Sequence, residues 1–186
     1  MQPNQNYFIS QYECTLSQSN NLNDLEQYIP KLSQLLTNHT FKHQLDFYFL
    51  DSQDDQIKNF IINVKNKESI DQEDLSLFIN SENSIFQCLQ KNNNLVATTL
   101  ISKIDQQDDI FYLEILDCEF GPDSNFGTFK VASDYFYNLL NEYSISYKAD
   151  FLNSDSSSRN FYWHNFFNSS KDRDNFYASW IDSDDS

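Results

Sequence analysis

Glycine is nearly missing from this sequence: 2 residues among 186, beside only 3 prolines. Turns that need a positive backbone angle therefore fall to Asn, Asp and Ser, whose short polar side chains tolerate the left-handed region. Positive charge is also scarce. With 12 Lys and Arg against 28 Asp and Glu, the formal charge is −16 and the sequence pI is near 4.2. Phosphate backbones and anionic bilayers repel such a chain, so neither nucleic acid nor a membrane is an expected partner. A small amine or a basic protein suits the charge. No apolar run approaches the roughly 20 residues that cross a bilayer. Residues 1–12 lack the basic-then-apolar order of a signal peptide. Cysteine occurs only at Cys14, Cys88 and Cys118. An odd number with no Cys-x-x-Cys argues against a disulfide framework and a Cys-rich zinc site, and fits a reducing, intracellular, cytoplasmic setting. His39 and His43 lie four apart without a carboxylate at motif spacing, so no metal site is expected.

Aromatic side chains are plentiful. The 17 Phe and 11 Tyr supply a core that a disordered chain would lack. The length suits one domain over residues 1–181 with an acidic tail at 182–186. Apolar periodicity predicts strands over 7–16, 85–90, 95–104, 110–120, 145–152 and 176–181. Residues 45–50 are a strand or a helix. Helical spacing is read over 25–36, 57–64, 71–79, 126–143 and 156–166, with Asn20 to Asp24 as start chemistry for the first and Pro30 as a kink or a later start. Lys91-Asn92-Asn93-Asn94 reads as a hairpin turn with Asn in place of Gly. The implied fold is mixed α/β: a central, mostly antiparallel sheet flanked by helices, in which residues 1–83 precede a core over 84–181.

Three segments resemble motifs of the GNAT superfamily of acyltransferases. Ile85-Phe86-Gln87-Cys88 followed by Leu95-Val96-Ala97-Thr98-Thr99-Leu100 resembles its cofactor-side hairpin. Tyr112-Leu113-Glu114-Ile115-Leu116-Asp117-Cys118 resembles its fourth strand. The run from Asp155 to Phe167 resembles N-x-x-A-x-x-F-Y-E-K-L-G-F, with Phe161-Tyr162 and Phe167 in place. Phe176 to Trp180 would be the closing strand. The resemblance implies an N-acetyltransferase that moves an acetyl group from acetyl-CoA to an amine. Glu114 would then be the base and Tyr162 the acid for the leaving thiolate. Leu116, Asp117 and Cys118 would form the bulge facing the thioester, and Asp155 would take the family's Asn position. The pyrophosphate would rest on the following helix start, where the family has Arg/Gln-x-x-Gly-x-Gly/Ala. Asn125, Thr128 and Lys130 occupy those positions in one register. Shifted by one, Gly127 takes the first glycine site and Phe129 the second. Neither register restores two small residues, which counts against acetyl-CoA binding. The alternative is a catalytically inactive GNAT-like binding or scaffold subunit.

Each proposed residue also has a plain structural reading. Tyr162 fits core packing, Glu114 a hydrogen-bonded strand residue, and Cys118 a small apolar strand residue with no base beside it.

Overall fold

The computed structural model describes residues 6–38, 44–49, 58–67, 85–103, 111–142, 146–154 and 158–181. It divides into two compact units, one of residues 7–96 and one of residues 97–186 together with 1–6.

In the first unit β1 (Asn6–Leu16) leads into helix α1 (Leu22–Asn38), then β2 (Gln44–Phe49), β3 (Asn59–Asn66) and the first part of β4 (Phe86–Ser102). The strand order is β2-β3-β1-β4. β3 pairs antiparallel with both β1 and β2, setting Tyr12 and Phe47 opposite Ile62. Strand alternation divides the residues between two faces. Tyr12, Cys14 and Leu16 join Phe60, Ile62 and Val64 beneath Leu25 and Leu32 of α1. The other face carries polar groups beside Ile9 and Ile61: Gln11 Nε2 donates to Asn63 Oδ1 at 3.2 Å, and Lys65 pairs with Asp46 at 2.5 Å. The start of α1 is a reciprocal cap. Asn21 N donates to Asp24 Oδ2 (2.8 Å) and Asp24 N to Asn21 Oδ1 (3.2 Å). The helix runs through Pro30, so the proline does not delay its start.

In the second unit the later part of β4 is followed by β5 (Tyr112–Glu119), helix α2 (Phe126–Glu142), β6 (Lys148–Asn153), β7 (Asn160–Phe167) and helix α3 (Ser170–Ile181). The strand order is β4-β6-β7-β5. β7 is antiparallel to both β5 and β6. Aromatic rings fill the space under the helices. Phe129 of α2 lies 5.2 Å from Phe161 and 5.0 Å from Trp163, and Phe176 of α3 stacks on Tyr147 at 4.9 Å.

Several expectations are corrected here. In place of the helix expected over 57–64, residues 59–64 belong to β3; Phe60, Ile62 and Val64 are buried at every second position, and β-branched residues between two partner strands favour the pleat. No hairpin forms at residues 91–94, because β4 continues through them. The type I′ hairpin turn that Asn favours needs two positive φ angles, and among the described residues only Asn94 has one, 48°. The Asn and Lys side chains instead bond along β1: Lys91 to Glu13 at 2.6 Å and Asn92 to Gln11 at 3.1 Å. Residues 160–167 are a strand where a helix is expected, and 176–181 belong to a helix where a strand is expected. The cap of that helix begins earlier, with Asp172 N donating to Ser169 Oγ at 3.1 Å. The expected helix over 71–79, the site residue Asp155, His39, His43 and the tail lie outside the described residues.

These changes overturn the fold class. Strands predominate, the helices are short, and the strand pairing is antiparallel, which is not a helix-flanked mixed sheet of the GNAT type. In that family the fourth and fifth strands splay side by side. Their counterparts here, β5 and β6, run in the same direction with β7 inserted between them.

The cysteine reading is corrected as well. β1 and β4 bring Cys14 and Cys88 to a Cα separation of 4.0 Å, and the two form a disulfide across 74 residues. Spacing in the sequence carries no sign of this, because the pairing depends on which strands become neighbours. The bonded pair removes the cysteine argument for an intracellular, cytoplasmic setting. Among the described residues no helix is long and apolar enough to cross a membrane.

Two predictions follow from the first unit. The Tyr12 hydroxyl is buried in the apolar cluster with no hydrogen-bond partner. Tyr12→Phe removes an unsatisfied donor and raises stability by about 1 kcal/mol, read as a higher urea midpoint at unchanged slope. Reduction of Cys14–Cys88 releases a long closed loop and lowers stability by about 4 kcal/mol in the chain-entropy description. Melting with and without a thiol reductant checks this, with Cys14→Ser as the insensitive control.

Candidate functional site

The register of β5 on β7 decides which expected site residues can meet. Directly opposed residues share a face of the sheet. Tyr112, Glu114, Leu116 and Cys118 therefore lie on one side with Phe167, Asn165, Trp163 and Phe161. Leu113, Ile115, Asp117 and Glu119 lie on the other with Phe166, His164, Tyr162 and Asn160. Glu114 and Tyr162, the proposed base and acid, are thus on opposite faces. Tyr162 also stands on a strand rather than the expected helix.

Glu114 is the expected residue that the fold places in a polar constellation. Its Oε2 accepts from Asn165 Nδ2 at 2.8 Å and from the Tyr177 hydroxyl at 2.6 Å. Asn165 Oδ1 in turn accepts from the Tyr147 hydroxyl at 2.6 Å. Strand β7 supplies the Asn opposite the Glu. α3 lowers Tyr177 onto the carboxylate while its neighbour Phe176 packs into the core. Burial pushes the Tyr147 hydroxyl well above the ordinary tyrosine range. Burial first, then its bond to Glu114, does the same for Tyr177. Both are donors held in protonated form and cannot serve as bases. Arg173 closes the cluster, donating to the Tyr112 hydroxyl at 2.8 Å and to Asp174 at 2.7 Å. Chemically this is a carboxylate fixed in place by two neutral donors, with a guanidinium nearby.

The opposite face holds a second polar group. Buried Asp150 accepts from Thr99 Oγ1 at 2.7 Å and pairs with Lys148 at 2.9 Å, and its cross-strand neighbour is His164.

The remaining expected residues scatter. Leu116 and Asp117 are exposed on β5. Cys118 packs against the Phe120, Phe151 and Phe161 cluster, and burial followed by Asp117 pushes its thiol up, away from nucleophilic thiolate character. At the start of α2, Asn125 is an ordinary N-cap. Its Oδ1 accepts from Gly127 N at 2.8 Å and from Thr128 N at 3.2 Å. Those are amides a pyrophosphate would need. The Thr128 hydroxyl is turned back to the Asn125 carbonyl at 2.9 Å, and Lys130 pairs with Asp134 at 3.0 Å. Phe129 is a core residue rather than part of a phosphate loop.

Tyr147, Asn165, Arg173 and Tyr177 were not expected at any site. One signal was available for Asn165. Read as a strand, 161–167 places Phe161, Trp163 and Phe167 on one face with Asn165 as the lone polar residue among them, and a buried amide needs partners.

No protein-family model matches the chain, and no curated protein matches it in sequence.

The tyrosines give a pH dependence with a definite sign. Their ordinary value is 10.0; burial pushes Tyr12 up to about 12, and Tyr147 and Tyr177 are raised too. Between pH 10 and 12 the unfolded chain loses protons that the folded chain keeps. Stability is therefore fully present below pH 10 and falls as pH rises through that window, by about 1.4 kcal/mol per unit for a fully buried tyrosine. Urea midpoints stepped across this range, in the parent and in Tyr147→Phe, check the fall and its partial removal.

Proposed function

We propose that the protein is a non-catalytic binding module whose partner is a basic segment of another protein. The observation that carries this reading is the charge of the second unit. Residues 1–6 and 97–186 hold 6 Lys and Arg against 16 Asp and Glu, a formal charge of −10. Several of those few cations are already matched internally. Lys130 pairs with Asp134, Lys148 with Asp150, Arg159 with Glu119 and Arg173 with Asp174. Among the described residues Asp117, Glu119, Asp123 and Asp174 are exposed, and a basic partner suits their charge.

Acetyl transfer has less support. The strands that would cradle the pantetheine arm are separated by β7, and the proposed acid and base sit on opposite faces. Glu114 is already held by Asn165 and Tyr177, an arrangement that suits fixing a strand and a helix together.

A titration with a Lys-rich peptide and an acidic peptide of equal length tests the proposal. The Lys-rich peptide should bind, weakening steeply as salt rises, and the acidic one should not. Melting with millimolar acetyl-CoA is the second arm. No shift is expected, whereas a ligand at a hundred times its dissociation constant adds about 2.7 kcal/mol. A clear acetyl-CoA shift, or equal binding of both peptides, would overturn the reading.

A further inference from the structure

β5 ends the strand order of the second unit. Strand β7 lies along one of its edges, and among the described residues no strand lies along the other. A strand in that position presents a row of backbone donors and acceptors able to accept one more strand. Its side chains have the same open character. Ile115 and Leu116 are each 38% exposed, and Asp117 and Glu119 are exposed beside them. Glu119 has a long 3.6 Å contact with the half-exposed Arg159. No ion pair involves Asp117 among the described residues.

We propose that the free edge of β5 is the docking site, and that it takes an extended basic segment as an added strand. This rests on the binding-module reading and assigns it a place and a mode. Side-chain pairing across the new ladder sets the segment's pattern. Ile115 and Leu116 call for apolar residues, Asp117 and Glu119 for Lys or Arg, and half-buried Cys118 between them for a small residue. The segment therefore carries two basic residues separated by one small residue, followed by two apolar ones when it runs antiparallel to β5. Exposed Asp117 and Glu119 supply the charge that admits a basic strand.

The test uses the full chain and a short peptide carrying Lys-Ala-Lys-Val-Val between threonines. Amide hydrogen exchange should slow in β5 when the peptide binds. Methylating the peptide's alternate backbone nitrogens, in both phases, should abolish binding in one phase and spare it in the other, because only one edge of an added strand faces β5. Asp117→Lys should weaken binding about tenfold. Glu26→Lys, the same charge change on exposed α1, should weaken it much less. Binding with protection elsewhere, or equal loss in the two charge variants, overturns the edge site while the basic-partner reading stands. Failure of this peptide and of a general Lys-rich peptide to bind overturns that reading itself.

Discussion

β7 carries a hydrogen-bonded ladder on each of its edges, with β5 on one side and β6 on the other. Every side chain from Phe161 to Phe166 then has a cross-strand neighbour on at least one flank and usually on both. The face toward the helices is a row of large groups: Phe161 and Trp163 against Phe129, and Phe167 against Phe176 and Tyr147. Both helices of this unit thus depend on one strand for the surface they cover. Burying each such ring contributes roughly 1.5–3 kcal/mol, so a shift of β7 by one residue would move the whole set to the other face. The polar exception in the row, Asn165, is tolerated because Tyr147 and Glu114 satisfy both ends of its amide.

That constraint also sorts the charges. Carboxylates inside the strand register are used up by the fold: Asp150 by Thr99 and Lys148, Glu114 by Asn165 and Tyr177. An unmatched buried charge costs several kcal/mol, so interior acids come with partners. Exposed acids, such as Asp117 and Glu119 of β5, carry no such demand. Among the described residues the unit's exposed charge includes Asp117 and Glu119 of β5, Asp123 and Asp174.

The sequence made part of this arrangement legible. β1, α1, β5, α2 and β6 were placed within a few residues, since each has a clean period and, for α1, the Asn21–Asp24 cap. The failures share a cause. Ile57, Phe60, Ile61 and Val64 match helical spacing while Phe60, Ile62 and Val64 match strand alternation, and the aromatic run from Phe161 to Phe167 is open to both readings. Only the neighbouring strands decide between the two patterns. The motif-like Phe161-Tyr162 pair pulled the second run toward a helix. Neighbours also decided the Asn-rich stretch before Asn94, which looks like a turn in isolation and lies flat because Gln11 and Glu13 of β1 bond to it. The Cys14–Cys88 bond depends on the same adjacency. Of the candidate site, Glu114 was identified as a polar residue with a special place, and its actual partners were not, because two of them lie on elements read with the wrong period.

The helix start at Asn125 shows how the same local chemistry serves two ends. An N-terminus with free amides binds anions, and the small residues of a phosphate loop exist to leave those amides open. Here the Asn125 side chain takes the amides of Gly127 and Thr128, and Phe129 turns inward to fill the space between Phe120, Phe151 and Trp163. The absence of glycines is then not the loss of a binding loop but the presence of a cap and a core residue. A side chain that satisfies a helix end from within has no need of a ligand to do so. Among the described residues no strand pairs with the outer edge of β5, which is where the proposed partner strand would find backbone donors and acceptors.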